Sequence, residues 1–508
     1  MLLINPPVVK PCEPPPGQAK LAGALKYHGI DCQVIDANIE GLTFILENAE
    51  LSPEMPANTS IKRAHSHLGS NIKSLQSPDV YKNPDAYKQA VLDINRILDT
   101  LSGPFEVKLG LANYIDRHLS PVRSRDLIAA YHNPEKNIFH PYFEHRLGPI
   151  AETMSCKTVG ISLNFLSQAL CTFAMIGFLK QRNPGLRIIL GGGLVTSWVR
   201  GLKRHHPFTG IVDEFIAGPG ETHLLSMFGV GETKDHYQPD YDPFRYYPYL
   251  SPGFVLPYSS AGGCYWNRCS FCPEKAEGNS YLPIPVNNVM RDLEFLSAQT
   301  KPGLLHLTDN AIRPALLKAM ADNPVPTPWY GFVRFTSHLA DVDFCAALKA
   351  SGCVMLKLGL ESGDQDLLDC MNKGIDLPLV SAVLAALKKA DIRTYIYLLF
   401  GTPSENYTSA KKTLDFIVRH REQIDYANLA VFNLPAYGPD AEKMDTGSFY
   451  DGDLSLYRSF FHPEGWHRNR VRQFLDKEFK RNPAVASILR KNPPVFTSNH
   501  APFFFTEP

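Results

Sequence analysis

The chain has 508 residues, too many for one domain, and this length predicts two or three domains. Its 51 basic and 51 acidic side chains balance, so the overall charge does not favour binding to a nucleic-acid backbone. No segment reaches the ~18 consecutive apolar residues of a membrane span. The ten cysteines are scattered apart from one tight group, and the short apolar start lacks a basic leader, so we expect a cytoplasmic protein with one metal site.

The first region, residues 1–235, alternates between strand-like and helix-like text. An apolar run ending in two prolines predicts the first strand, and the helical spacing of apolar residues over Gln18–His28 predicts the helix after it. Such alternation is typical of a parallel sheet covered on both faces. The predicted strands are Leu2–Asn5, Cys32–Asn38, Val159–Leu163, Arg187–Gly193 and Glu214–Glu221.

A long interruption, residues 45–150, separates the second and third of these strands. A structureless loop of that length is unusual, and two stretches within it look helical, so we expect a helical insertion. Residues 236–253, which are polar and aromatic with several prolines, are predicted to be a linker.

The second region, residues 254–440, alternates again. Six strand–helix units predict a partial barrel. Residues 441–508 are expected to form a small, helical carboxyl-terminal extension that caps the barrel mouth, where His462, His467, His500 and Tyr437 are candidates to face a substrate. The predicted barrel strands are Phe254–Ser260, Leu304–Asp309, Tyr330–Phe335, Val354–Glu361, Thr394–Gly401 and Tyr426–Asn433.

Three cysteines lie just after the first barrel strand. Cys264, Cys269 and Cys272 are separated by gaps of four and two residues, and Gly262 and Gly263 allow a tight turn before them. Three thiolates this close in sequence can hold one polynuclear iron site. The alternatives are a zinc knuckle or three structural cysteines, but structural zinc usually takes four protein ligands, and the region offers no second paired motif. The pattern therefore favours a 4Fe-4S cluster with one open iron.

The segment AGGCYWNRCSFCPE resembles the cysteine motif of the radical S-adenosylmethionine (SAM) enzymes, whose usual first gap is three residues. The resemblance continues through LKASGCVMLKLGLESGDQDLLDCMNKG and YIYLLFGTPSENYTSAKKTLDFI. In that family, residues at the carboxyl ends of the barrel strands hold SAM, which agrees with the general rule for such barrels. The SAM contacts implied by this resemblance are Thr308, Asp309, Arg334, Glu361 and the edge from Leu399 to Gly401.

The first region resembles the Rossmann-like, cobalamin-binding domain that often precedes this barrel, with matching segments INPP, VGISLNFLSQA, RIILGGG and IAGPGE. The resemblance implies that the nucleotide tail of the corrinoid enters a groove at the carboxyl ends of the strands, against Ser162, Gly191, Gly192 and Gly193. No histidine lies in Val8–Lys20, so a bound cobalt is expected to lack a histidine ligand from this loop. The alternative is a scaffold domain that binds no corrinoid.

Together these resemblances imply an α/β enzyme that cleaves SAM reductively with a 4Fe-4S cluster and directs a 5′-deoxyadenosyl radical at an unactivated position. They imply a small-molecule or peptide substrate and a reducing electron donor such as flavodoxin or ferredoxin. If cobalamin is bound, methyl transfer is the expected outcome. The alternatives are radical rearrangement or carbon–sulfur bond formation without cobalamin, and a non-catalytic corrinoid or iron–sulfur sensor.

Overall fold

The computed structural model describes residues 1–50, 58–155, 157–202, 207–494 and 503. By its internal contacts the chain divides into two compact units, one formed mainly by residues 1–255 and the other mainly by residues 256–493. Within the described ranges, no helix is both long and apolar enough to cross a membrane.

The first unit is built around a parallel sheet. Its strands are β1 (Leu2–Asn5), β2 (Gln33–Asp36), β3 (Val107–Gly110), β4 (Asn113–Asp116), β5 (Thr158–Ser162), β6 (Arg187–Gly191) and β7 (Glu214–Phe215). Five of them pair in the order β2-β1-β5-β6-β7, and every pairing is parallel. The chain order changes direction between β1 and β5. Open α/β sheets bind ligands beyond the carboxyl ends of their strands at such a switch point.

Helices connect these strands and bury their apolar sides against the sheet. The clearest case is Leu166–Arg182, whose residues 168–179 are all buried, as expected of a helix that is apolar on most of its surface. The helices of this unit are α1 (Pro16–Tyr27), α2 (Ala37–Glu47), α3 (Thr59–Ser66), α4 (Leu68–Leu75), α5 (Pro78–Tyr81), α6 (Pro84–Ser102), α7 (Ser124–His132), α8 (His140–Tyr142), α9 (Gly148–Thr153), α10 (Leu166–Arg182), α11 (Gly193–Leu202) and α12 (Glu221–Met227).

The insertion between β2 and β5 is helical, as predicted, but it also contains a β-hairpin that the sequence did not reveal. Strands β3 and β4 pair antiparallel, with Leu109 opposite Tyr114. The two residues between them, Leu111 and Ala112, lack the Asn-Gly or Asp-Gly pair that marks a short hairpin. The turn signal was therefore missing.

Residues 236–253, predicted to be a linker, pack into the first unit instead. Tyr241 and Phe244 are fully buried, and the Tyr249 hydroxyl donates a hydrogen bond to Asp36 Oδ2 at 2.8 Å. Buried aromatic rings hold the segment in place, so it is a packed part of the first unit despite its prolines. The boundary between the units falls near residue 255.

The second unit is built around a six-stranded sheet in the order β15-β14-β13-β12-β11-β8, which follows the order of the chain. The pairings from β11 to β15 are parallel, as in a partial (β/α)6 barrel. The strands of this part of the chain are β8 (Val255–Tyr258), β9 (Ala261–Gly262), β10 (Leu282–Pro283), β11 (Leu304–Leu307), β12 (Trp329–Val333), β13 (Cys353–Glu361), β14 (Arg393–Phe400), β15 (Tyr426–Val431), β16 (Leu434–Pro435), β17 (Thr446–Ser448) and β18 (Tyr457–Phe460).

Three of the barrel helices begin at side-chain caps, since Asp341, Asp376 and Asn406 each accept hydrogen bonds from backbone N–H groups in the first turn that follows. The helices of this unit are α13 (Pro273–Ala276), α14 (Val286–Thr300), α15 (Pro314–Asp322), α16 (Val342–Ala350), α17 (Gln365–Cys370), α18 (Leu377–Lys389), α19 (Tyr407–Arg419), α20 (Pro439–Lys443), α21 (Arg468–Phe474) and α22 (Pro483–Leu489).

The carboxyl-terminal extension is not the purely helical tail that was predicted. Two of its segments, β17 and β18, form an antiparallel sheet with β16, which lies just before the extension, in the order β16-β18-β17. These strands have only two to four residues each, too short for their alternation to be recognised in the sequence. Helices α21 and α22 follow, and the structure does not describe His500.

Candidate functional site

The three cysteines lie on one loop, residues 263–272, which we call the cysteine loop. Gly263 begins it with φ +68°, and a Cβ at this position would lie 2.4 Å from the Ser280 carbonyl oxygen. Only glycine fits such a turn. Cys269 is buried, whereas Cys264 and Cys272 are partly exposed.

The chemistry of this loop fits a thiolate-bound iron–sulfur cluster. Burial raises the pKa of the Cys269 thiol, and the positive charges of Lys373 and Arg334 oppose that rise. Burial also raises the pKa of Cys272, which backbone N–H groups of Glu274 and Lys275 oppose. Cations and N–H donors stabilise thiolate ligands. Among the described residues, no three His, Cys, Asp or Glu side chains converge on a point where they could hold a single metal ion. The thiolates of a four-iron cluster each bind a different iron and need not converge.

The cysteine loop rests on a turn formed by residues 371–374, directly after α17. The Trp266 indole N–H donates to the Asn372 carbonyl oxygen at 3.1 Å, and the Ser270 backbone N–H donates to the Met371 carbonyl oxygen at 3.0 Å. A Cβ on Gly374, which has φ +66°, would lie 2.1 Å from the Trp266 ring. We call residues 371–374 the supporting turn.

Arg334 lies between the cysteine loop and the supporting turn and is only 7% exposed. Its guanidinium carbon is 4.3 Å from the centre of the Trp266 ring. Nη1 is 4.0 Å from the Cys269 sulfur, and Nη2 donates to the Lys373 carbonyl oxygen. The predicted SAM contact Arg334 therefore directs its guanidinium at the cysteine loop.

Glu361, the predicted SAM contact at the end of β13, has an unusual backbone. Its φ is +68°, and the pairing of β13 with β14 shifts register between Gly359 and Glu361. Bulges of this kind redirect a side chain, and they are common next to active sites. The Glu361 carboxylate bonds to Lys373 Nζ at 2.8 Å, and both side chains are nearly buried. The pair lies over Gly359, where a Cβ would be 2.5 Å from Glu361 Oε1.

Thr308 and Asp309 follow β11 directly. The Thr308 backbone N–H donates to the Tyr258 carbonyl oxygen at 2.8 Å. The Asp309 carboxylate accepts from the Ser260 hydroxyl at 2.5 Å and from the Ser260 backbone N–H at 3.1 Å. Asp309 thus fixes the chain between β8 and the cysteine loop.

Leu399 and Gly401 lie at the carboxyl end of β14, where Gly401 has φ +84°. Two polar residues that follow Gly401, Thr402 and Glu405, were not predicted from the sequence. The Glu405 carboxyl is fully buried and accepts hydrogen bonds from the Gly401 backbone N–H and the Trp466 indole. Its Oε1 and the Thr402 hydroxyl are buried without a hydrogen-bond partner in the described ranges of the chain. Unpaired buried oxygens at a strand end leave acceptors and a donor for a polar ligand.

In the first unit, Ser162 and Gly191 lie opposite each other at the carboxyl ends of β5 and β6. Gly192 has φ +109°, and a Cβ there would lie 2.5 Å from the Leu163 carbonyl oxygen. Gly193 is exposed, and the nearest atom to its Cβ position is 3.8 Å away. The Ser162 hydroxyl has no hydrogen-bond partner among the described residues. The Asn164 amide oxygen accepts the Gly193 N–H at 2.9 Å, so this edge consists of glycine backbone, one amide and the Ser162 hydroxyl.

The chain after β1 is anchored by buried amides. Gln168 donates to the Pro6 carbonyl oxygen at 2.7 Å, and Asn5 donates to Asp36 at 2.9 Å. Gln18, in the first turns of α1, is fully buried, and neither its Nε2 nor its Oε1 has a hydrogen-bond partner in the part of the chain that the structure describes. An unpaired buried amide close to a switch point suits a polar ligand such as a nucleotide tail. Nothing in the sequence pattern marked Gln18.

A pocket of about 90 Å³ lies beyond the ends of β14 and β15, within the second unit. His462 and His467 both line it, whereas Tyr437 is exposed on the wall of another cavity. Both ring nitrogens of His462 are used, Nε2 towards the Thr402 carbonyl oxygen and Nδ1 by backbone N–H groups. Arg468, which the sequence reasoning missed, also lines the pocket. Its Nη1 bonds to Asn433 at 2.7 Å, while its Nε and Nη2 have no hydrogen-bond partner among the described residues.

Comparison with known proteins gives a partial sequence match and full-length structural likenesses. No family model matches the chain. Over 221 residues it is 31% identical to bacteriochlorophyllide d C-12(1)-methyltransferase of Chlorobaculum tepidum, a match that covers 41% of this chain and 47% of that enzyme. The chain thus matches about half the length of this curated relative.

The solved structures similar to this chain include the radical SAM methyltransferase TsrM from Kitasatospora setae with cobalamin and a 4Fe-4S cluster bound. This likeness has a TM-score of 0.54 at 15% identity and covers 92% of this chain and 88% of that chain. TsrM with tryptophan and a SAM analogue gives a TM-score of 0.55 at 15% identity, covering 97% and 89%. The cobalamin-dependent SAM radical enzyme OxsB with aqua-cobalamin gives 0.58 at 12% identity, covering 94% and 66%. The chain therefore has the fold of the cobalamin-dependent radical SAM enzymes. This confirms the predicted fold class, a Rossmann-like α/β domain followed by a partial barrel.

Proposed function

We propose that this protein is a cobalamin-dependent radical SAM enzyme that transfers a methyl group to its substrate. The observation that carries the proposal is the cysteine loop at the end of β8, with one buried thiol, two accessible thiols and two cations close by. The methyltransferases that share the fold, and the curated methyltransferase with 31% identity, support the choice of reaction.

The proposed cofactors are a 4Fe-4S cluster, SAM and cobalamin. When bound, the cluster supplies the electron that cleaves SAM, and cobalamin supplies a carrier for the methyl group. Cys264, Cys269 and Cys272 would hold the cluster. Thr308, Asp309, Arg334, Glu361 and the Leu399–Gly401 edge remain predicted contacts for SAM.

Glu361 is the strongest of these predicted SAM contacts. Its carboxylate is aimed by the bulge in β13 and held by Lys373. A carboxylate held in place in this way can accept hydrogen bonds from ribose hydroxyls or from an ammonium group.

For cobalamin, we propose that the nucleotide tail occupies the edge formed by Ser162 and Gly191–Gly193. The free Ser162 hydroxyl would donate a hydrogen bond to the tail, and Gly193 leaves room for it. The unpaired amide of Gln18 is a further candidate partner.

We propose that the substrate is a small molecule or a peptide and that the carboxyl-terminal extension takes part in holding it. Arg468 supports this role because one edge of its guanidinium is held by Asn433 and the other edge is free in the pocket. A free guanidinium edge is suited to a carboxylate. The reaction would also need a reducing protein such as flavodoxin or ferredoxin.

The test is turnover with SAM that carries a labelled methyl group. Anaerobically reconstituted protein, supplied with cobalamin, a reductant and extract of its host, should pass the label to a product. Cys269→Ala should abolish transfer. Formation of 5′-deoxyadenosine without labelled product would favour radical rearrangement or carbon–sulfur bond formation, and retention of cofactors with no SAM cleavage would favour a sensor.

A further inference from the structure

The cysteine loop is supported on one side by main-chain atoms and two buried cations, Lys373 and Arg334. The supporting turn offers the carbonyl oxygens of Met371 and Asn372 to Ser270 and Trp266. Lys373 belongs to this turn, but its charge is already neutralised by Glu361 at 2.8 Å. Arg268, within the loop, is exposed, and Lys275, which donates to the Arg268 carbonyl oxygen, is partly exposed. The buried cation beside the loop that has no carboxylate partner among the described residues is Arg334.

Arg334 has no carboxylate partner among the described residues. Its contacts are the Trp266 ring, the Cys269 sulfur and the Lys373 carbonyl oxygen. A guanidinium is costly to bury without a negative partner. The nearest group that becomes negative is the sulfur of Cys269, once that cysteine ligates iron as a thiolate.

Trp266 determines where this charge lies. The ring is fixed by its hydrogen bond to Asn372 and by its contact with Gly374, and it faces the guanidinium at 4.3 Å. Trp266 lies in the four-residue gap between Cys264 and Cys269, where Asn267 adopts φ +43°. The gap thus carries the residue that orients Arg334.

We propose that Arg334 is the counter-charge of the iron–sulfur cluster and that Trp266 and the supporting turn position it. This inference rests on the proposed function, since it assumes that the three cysteines bind a cluster. A fixed positive charge beside a cluster stabilises its reduced, more negative state and raises its midpoint potential. Arg334 would therefore raise the midpoint potential of the cluster. It would affect SAM binding only through the cluster and not by direct contact with SAM.

The test compares Arg334→Gln with Arg334→Lys and with the control Arg291→Gln, which removes an exposed arginine on α14. The readouts are iron content, the midpoint potential of the SAM-free cluster by EPR-monitored titration, and SAM affinity by calorimetry. In Arg334→Gln, the reduced-to-oxidised ratio at a fixed potential should fall about tenfold, which corresponds to a midpoint lowered by about 59 mV for one electron. Arg334→Lys should fall between this variant and the wild type, and Arg291→Gln should match the wild type.

An unchanged midpoint in iron-loaded Arg334→Gln, with weaker SAM binding, would overturn the inference and return Arg334 to the SAM contacts. Loss of iron from Arg334→Gln protein with an unchanged circular dichroism spectrum would support the role of Arg334 as the counter-charge of the cluster. If Arg334→Gln fails to fold, Trp266→Leu decides, because it keeps the charge but removes the ring that orients it. A wild-type midpoint in loaded Trp266→Leu would then overturn the proposal. Absence of iron from the wild-type protein would instead contradict the proposed function.

Discussion

The predicted ligand-binding edges of the two sheets differ in charge. The edge at Ser162 and Gly191–Gly193 consists of backbone, a hydroxyl and glycines, without a charged side chain among its predicted contacts. The barrel edge carries Arg334, Glu361 and Lys373, all nearly buried. An uncharged edge binds a ligand by shape and hydrogen bonds. A charged edge also acts through its electric field, which the substitution of one charged residue can remove. The two edges should therefore respond differently to mutation.

The largest effect is expected at the cysteine loop. Alanine at Cys264, Cys269 or Cys272 should abolish the iron content and the SAM-cleaving activity, because each thiolate binds one iron. Cys370→Ala is the matched control, since Cys370 is exposed on α17. Iron analysis and 5′-deoxyadenosine formation are the measurements. Full iron in the triple alanine variant would rule out the cluster assignment.

Next in size is the loss of corrinoid from the neutral edge. Gly193→Phe should fill the groove and abolish cobalamin retention on gel filtration, while the cluster and the free energy of unfolding are preserved. Gly192→Ala is the contrasting variant, because φ +109° and the Leu163 carbonyl oxygen leave no room for a Cβ. It should lower the free energy of unfolding by roughly 1–3 kcal/mol. Cobalamin retained by a folded Gly193→Phe protein would remove this edge from the binding site.

A smaller effect is expected at Glu361. Glu361→Gln should weaken SAM binding by about 1.5–3 kcal/mol, because a charge-assisted hydrogen bond is lost, and the iron content should not change. Calorimetry with SAM measures this. Asp364→Asn, which alters another buried carboxylate near the end of β13, is the control. Equal SAM affinity in wild type and Glu361→Gln would leave Glu361 with only its ion pair to Lys373.

The smallest effect concerns two buried carboxyls, one in each unit. Burial raises the pKa of Asp36 from 3.8 to about 6 and that of Glu405 from 4.5 to about 8. Asp36 is less affected because it accepts hydrogen bonds from Asn5, Tyr249 and two backbone N–H groups.

A raised pKa means that the folded chain binds the proton more tightly than the unfolded chain. The contribution of Glu405 to stability is therefore complete below about pH 4.5 and is lost as the pH rises towards 8. Between those pH values, the free energy of unfolding should decrease less in Glu405→Gln than in the wild type, by on the order of 1–3 kcal/mol. In Asp36→Asn, the pH dependence of the free energy of unfolding should be weaker than in the wild type only between about pH 4 and pH 6. Urea unfolding at several pH values checks both, and identical profiles in wild type and Glu405→Gln would contradict the burial argument.

The sequence was sufficient for the strands of the two parallel sheets. Leu2–Asn5 was predicted with its observed bounds, and each barrel strand was found within a few residues, because buried parallel strands are unbroken apolar runs between turn residues. Residues whose importance depends on a neighbour distant in the chain were not found. Trp266 matters because of Asn372 and Gly374, and Gln18 because none of the described residues pairs with its buried amide.

The roles of the predicted contacts were harder to infer than their positions. Asp309 and Arg334 do lie at strand ends, as expected of barrel contacts. Their partners, Ser260 and the cysteine loop, became visible only in three dimensions.

The uneven exposure of the three thiols has a consequence for handling the protein in air. Met371 and Asn372 support the cysteine loop through hydrogen bonds to their carbonyl oxygens. Cys264 and Cys272 are partly exposed, whereas Cys269 is only 8% exposed. Oxygen and alkylating reagents should therefore attack the outer two thiols first. A sample damaged in this way would stay folded, keep one intact thiol and no longer accept iron.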